Sequence, residues 1–189
     1  DRLIMMTAMH LPTPADVLAF WREAGQDKWY TKDEAFDAEV RRRFLGLWER
    51  AAAGDLTLWE ATDDGALALV IALDQFPRNM FRGDARTFST DAKALEVASR
   101  AIARGADKRI DPGLVEFLYM PFMHSERLAD QERCIALFQN GGRPDNVRFA
   151  EIHADIIRRF GRFPHRNELL GRTTTAEERA FLDAGGFSG

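Results

Sequence analysis

Four histidines, one cysteine and two arginine-bearing proline motifs are the groups in this chain best suited to chemistry. Phe76-Pro77-Arg78-Asn79 is echoed by Phe163-Pro164-His165-Arg166-Asn167. Proline halts a helix and asparagine tolerates turn conformations. Each motif therefore reads either as a helix stop with its Phe in the core, or as a turn that brings Arg78, His165 and Arg166 to one site. Guanidinium forks suit carboxylate or phosphate oxygens, so such a site would bind an anion. Neighbouring positive charge would keep His165 neutral.

Asp74 follows the eight apolar residues Ala66–Leu73, where burial and the helix dipole both disfavour a carboxylate. It is expected in a structural ion pair with Arg78, Arg162 or Arg166; the sharper alternative is a catalytic acid. His124-Ser125-Glu126 follows Pro121. Ser125 suits a helix N-cap with Glu126 in the first turn. Otherwise His124 or His165 could serve as a general base, oriented by Glu126 or Asp74. Those histidines with His153 do not form a metal-ligand spacing, and no HExxH or Cys/His motif occurs, so no metal or other cofactor is expected. His153 shares a helical stripe with Phe149, Ile152, Ile156 and Phe160 and reads as a core histidine. Cys134 reads as a small packing residue, and as the only cysteine it cannot form an internal disulfide.

The elements that must position these groups are helical. Thr13-Pro14-Ala15-Asp16 opens a helix that stops near Gly25, and Thr31 with Glu34 opens a second, ended by Gly54. Thr62-Asp63-Asp64 opens the Ala66–Leu73 helix, apolar on every face and so expected at the centre. Thr90-Asp91 opens a fourth and Asp111-Pro112 a fifth, which is expected to break at Pro121. Further helices are expected over about residues 128–138 and 145–160, and from Thr174 with Glu177 to Gly185. No segment alternates with period two, so no strand is expected.

Length and charge narrow the function classes. At 189 residues, with no linker-like segment, the chain reads as one all-helical domain over residues 1–189. Its net charge of −4 argues against a general nucleic-acid binder. The only positive stretch is residues 141–172, with seven basic and four acidic side chains. No apolar run approaches the roughly 18 residues of a membrane span. Leu3–Met9 is mildly apolar but lacks a basic cluster and a cleavage site, so it is not read as a targeting segment. The expectation is a soluble, cytoplasmic protein.

Several stretches are distinctive as a set: Leu73-Asp74-Gln75-Phe76-Pro77-Arg78-Asn79, Phe117-Leu118-Tyr119-Met120-Pro121 before His124-Ser125-Glu126, Asp130-Gln131, and Arg159-Phe160-Gly161-Arg162-Phe163-Pro164-His165-Arg166-Asn167 ending in Leu170-Gly171-Arg172. In this order the set resembles the bacterial family called domain of unknown function 924, over roughly Val17 to Phe181. The resemblance implies a tetratricopeptide-like fold, a right-handed array of antiparallel helical hairpins. It implies no activity.

The resulting functional expectation is a binding protein. Its pocket would be lined by Arg78, His124, Glu126, Arg162, His165, Arg166 and Asn167 and would take an anionic small molecule or a peptide carboxylate. A hydrolase-like enzyme using a His–carboxylate pair is the alternative from another class. A structural module whose polar motifs only lock turns is the third. Oligomeric state is not legible in the sequence.

Overall fold

The computed structural model describes residues 10–189; the Leu3–Met9 stretch lies outside the described residues. The described chain is all-α, with no strand among those residues. Its helices are α1 (Pro14–Ala24), α2 (Gln26–Trp29), α3 (Glu34–Ala52), α4 (Asp63–Val70), α5 (Phe76–Met80), α6 (Asp91–Ala103), α7 (Glu116–His124), α8 (Leu128–Asn140), α9 (Asp145–Phe160) and α10 (Ala176–Asp183). None is long and apolar enough to cross a membrane.

Side-chain caps set most of the starts. Thr13 and Asp16 exchange reciprocal hydrogen bonds with each other's backbone at the head of α1. Thr175 and Glu178 do the same for α10, one residue beyond the expected Thr174 and Glu177. α3 starts on Asp33 rather than Thr31, because the Asp33 carboxylate accepts the Phe36 N–H. Thr62 caps α4 through the Gly65 N–H. Gly65 is required there, since a Cβ would lie 2.0 Å from the Trp59 carbonyl oxygen. Gly161, at φ 71°, ends α9 in the left-handed conformation that glycine adopts most readily.

The core is built around the apolar run. Ala66–Leu73 is buried on all sides, with α4 packed on α1, α6 and α7. Phe44 stacks on Phe76 from α3, and Trp21 meets Phe76 and Phe117 edge-on. A smaller cluster, Ile156, Ile157 and Phe163 with Phe160, Phe181 and Phe187, ties the C-terminal segment to α9.

Two prolines expected to break helices do not. Between α4 and α5 the chain widens into one π-turn over Ile71–Gln75 and continues helically through Pro77 to Met80. Pro77 cannot donate to the Leu73 carbonyl four residues back. That oxygen instead accepts the Thr90 hydroxyl at 2.6 Å. Thr90, expected to cap α6 with its side chain, is spent on this bond and makes no cap. Pro121 likewise lies inside α7, which runs unbroken to His124. Ser125 therefore follows α7 instead of capping α8; its hydroxyl donates to Asp130 and accepts the Arg127 N–H. On α9 the inward face is not the expected stripe: Phe149 and Ile152 are 49% and 37% exposed, while Asn146, Ala150, His153, Ala154, Ile156 and Ile157 point in.

Candidate functional site

The π-turn directs Asp74 and Gln75 toward the end of α7. Asp74 is fully buried. Its Oδ1 lies 2.8 Å from His124 Nδ1, and its Oδ2 accepts the Gln75 side-chain amide at 2.8 Å. Burial would push the Asp74 carboxyl up, but the facing His124 and Arg78 and these hydrogen bonds outweigh it, and it stays below the usual carboxylate range. The expected arginine partner is secondary: Arg78 Nη1 stands 3.7 Å from Oδ1, and its main partner is Asp91, bound through two nitrogens at 2.8 and 3.0 Å. Arg162 and Arg166 make no ion pair with Asp74.

Three contacts hold His124 in place from different segments. Asp74 fixes the imidazole. Gln131, wholly buried, donates through Nε2 to the carbonyls of Met123 at 2.7 Å and Ser125 at 2.6 Å, gripping the end of α7. Arg166 Nη2 donates to the His124 carbonyl at 3.0 Å. The other ring nitrogen, Nε2, has no hydrogen-bond partner among the described residues, and His124 lines a cleft of about 830 Å³.

Arg166 is the unusual wall of that cleft. It is 7% exposed, sandwiched between the rings of Phe88 and Phe163 at 4.5 and 4.7 Å. No carboxylate pairs with it among the described residues, and its Nε is buried with no hydrogen-bond partner. Burial and the charge of Arg78 draw its pKa down to about 10, which leaves it a cation at neutral pH. His165 Nδ1 is also buried and unpartnered. The His165 pKa falls to about 4, chiefly through burial and secondly through Arg166; the expectation from sequence had the direction but named only the charge. His153 is buried beside it, with Nδ1 2.7 Å from the Phe149 carbonyl, and burial takes its pKa to about 4 as well. The Phe187 ring packs on both histidines.

Lys32, Arg78, Arg82, Arg143 and Arg166 line the cleft, and no aspartate or glutamate does. Acids behind the wall neutralise three of these cations: Asp91 for Arg78, Asp37 for Arg82 and Glu116 for Arg143. Trp29, Phe88, Met120, Met123, Phe149 and Phe163 give the cleft an apolar lining.

Of the residues picked from the sequence, Arg78, His124, His165 and Arg166 meet at the cleft; Glu126, Arg162 and Asn167 do not line it. Those three build a lock beneath it. Glu126 accepts Arg172 Nη1 at 2.8 Å and the Phe163 N–H at 2.5 Å, which fixes the turn entering Pro164. Arg162 forms a two-nitrogen pair with Glu178, and Asn167 bonds Glu178, Thr174 and Arg172. Each carries its polar atoms away from the cleft because an opposite partner waits on α10 or Arg172. Sequence reasoning missed the roles of Gln75, Asp91 and Gln131. For Gln131 a signal existed, since Asp130-Gln131 stands close after His124 in the distinctive set. Asp91 gave none, reading only as an acid in a first helical turn. Among the described residues no three His, Cys, Asp or Glu side chains converge as a metal site.

The all-helical frame thus holds a buried acid–histidine pair beside a buried arginine with no carboxylate partner among the described residues. The chain belongs to the family described as bacterial protein of unknown function (DUF924), whose model matches residues 17–186. It is similar to the solved structure of a protein of unknown function from Agrobacterium tumefaciens, with 46% identity, a TM-score of 0.87, and coverage of 91% of this chain and 97% of that one. No functionally curated protein matches the sequence.

Proposed function

We propose that this protein binds a small anionic molecule with an apolar body in the cleft. One observation carries the reading: Arg166, a buried cation with no carboxylate partner, stands on the wall of a cleft that no acid side chain lines. Burying an unpaired charge is costly, so a site that keeps one is suited to an incoming counter-charge. The volume of about 830 Å³ lies within the range of small-molecule sites, and the aromatic and methionine lining suits an apolar moiety. A peptide ending in a carboxylate presents the same chemistry. Lys32 is a second cation without an acid partner among the described residues.

Two coarser features fit this reading. Consecutive packing of α6 on α7, α7 on α8 and α8 on α9 supports a right-handed tetratricopeptide-like array, a scaffold commonly used for binding. A single buried free thiol suits a cytoplasmic setting.

The test is a thermal-shift series with phosphate, succinate, phenyl phosphate and benzoate, because a ligand that binds only the native state raises the melting temperature. The reading expects phenyl phosphate or benzoate to shift it more than phosphate or succinate. No shift with any of the four would contradict it.

A further inference from the structure

The His124–Asp74 pair asks for more than binding. A fully buried carboxylate that fixes one imidazole nitrogen leaves the other free to exchange a proton, which is the arrangement of an oriented general base. Both Asp74 oxygens are occupied, by His124 and Gln75, so the ring has one strongly favoured orientation. The acid sits on a π-turn, an irregularity that recurs at functional sites. The backbone carrying the histidine is gripped by Gln131 and by Arg166, the same guanidinium that faces the cleft. The other two cleft-lining histidines differ: the Phe187 ring packs on His153 and His165, and neither has a carboxylate partner among the described residues.

No nucleophilic side chain is bonded to His124. Cys134 lies off the cleft, and burial pushes its thiol up to about 12. The Thr87 hydroxyl donates to the Pro77 carbonyl. Thr31 and Ser188 also line the cleft but make no hydrogen bond to His124, so water is taken as the nucleophile.

We propose that the cleft is a hydrolytic site for an ester with a negatively charged end, with His124 as catalytic general base and Asp74 as its positioning residue. The inference rests on the reading that Arg166 holds an anion. His124 donates Nδ1–H to Asp74, and its Nε2 takes a proton from water as the water oxygen bonds to the acyl carbon. The tetrahedral intermediate expels the alcohol oxygen, which receives that proton back from Nε2. One water is consumed, the acyl C–O bond breaks, and a carboxylic acid and an alcohol leave; nothing is oxidised or reduced.

The experiment uses mono-4-nitrophenyl succinate, followed by release of 4-nitrophenolate, alongside calorimetric titration with benzoate. The parent should release 4-nitrophenolate well above the buffer rate. His124→Gln should lower kcat at least about 100-fold, the lower bound for a positioned general base, while benzoate still binds. Added imidazole should restore part of the rate in His124→Gly. Asp74→Asn should lower kcat with little change in KM. Should that variant fail to fold, the ¹⁵N shifts of the neutral His124 ring in the parent carry the same test, with the proton on Nδ1 and Nε2 bare. A parent that binds benzoate but hydrolyses the ester no faster than His124→Gln overturns this inference and leaves the binding reading intact. A neutral ring that carries its proton on Nε2 also overturns it. A parent that neither binds benzoate nor turns over the ester overturns both.

Discussion

His124 Nδ1 and Asp74 Oδ1 lie 2.8 Å apart although 50 positions separate them in the chain. The contact joins the π-turn between α4 and α5 to the last residue of α7. It fixes the position of the one cleft-lining imidazole that has a carboxylate partner.

Removing the acid should be expensive. Asp74→Ala leaves His124 without its partner and Arg78 with Asp91 alone, so the loss should fall near the lower end for a broken buried pair, about 3 kcal/mol. Urea unfolding measures it. A variant that unfolds with the parent's midpoint would mean that Asp74 contributes nothing to the fold.

The Pro77 irregularity makes a separate prediction. Thr90→Val deletes the hydroxyl that satisfies the Leu73 carbonyl and accepts the Trp48 indole N–H, leaving both without that partner in the protein interior. The expected cost is about 1–3 kcal/mol, and Thr90→Ser, which keeps the hydroxyl, should recover most of it. Equal losses in Val and Ser would show that packing of the methyl, and not the hydrogen bond, matters there.

Much of this was legible in the sequence and some was not. Helix starts at Thr13 and Thr62 and the buried run Ala66–Leu73 follow from local rules of capping and periodicity. The prolines misled because local rules treat Pro77 as a stop; the rescue of Leu73 comes from Thr90, which is near only after folding. The same holds at the cleft. Arg78 and Arg166 were visible as unusual, but which arginine finds an acid depends on Asp91 and Glu178, and neither assignment is written in local spacing. Glu126, Arg162 and Asn167 sit in the same motifs as the cleft residues yet turn into the lock with Glu178 and Arg172. Neighbours in sequence face opposite ways on a short turn.

Acid should destabilise the protein in two stages. His153 and His165 have folded pKa values of about 4 against an ordinary 6.5, so between those values the unfolded chain binds more protons. Stability from them is complete above pH 6.5 and declines as pH falls to 4, by up to about 3 kcal/mol for each histidine. Glu178, held near 2 by Arg162, extends the decline from about pH 4.5 downward. Melting temperature against pH, in the parent and in His165→Asn, reads this directly. The variant should show a shallower fall between pH 6.5 and 4; an unchanged slope would mean that His165 does not titrate on unfolding.

Arg166 should be a stability cost retained for binding. Arg166→Met removes a buried unpaired charge and keeps an apolar stem between Phe88 and Phe163. The variant should be as stable as the parent or more stable by up to about 2 kcal/mol, despite losing the hydrogen bond to the His124 carbonyl. A loss of about 3 kcal/mol or more would identify Arg166 as a structural residue.

Calorimetric titration with phenyl phosphate at neutral pH, on the parent and on folded Arg166→Met, tests the binding claim most directly. The account predicts saturable binding to the parent with one site per chain, weakened at least about tenfold in the variant, a difference of about 1.4 kcal/mol. Binding of equal strength to both proteins, or to neither, would contradict it.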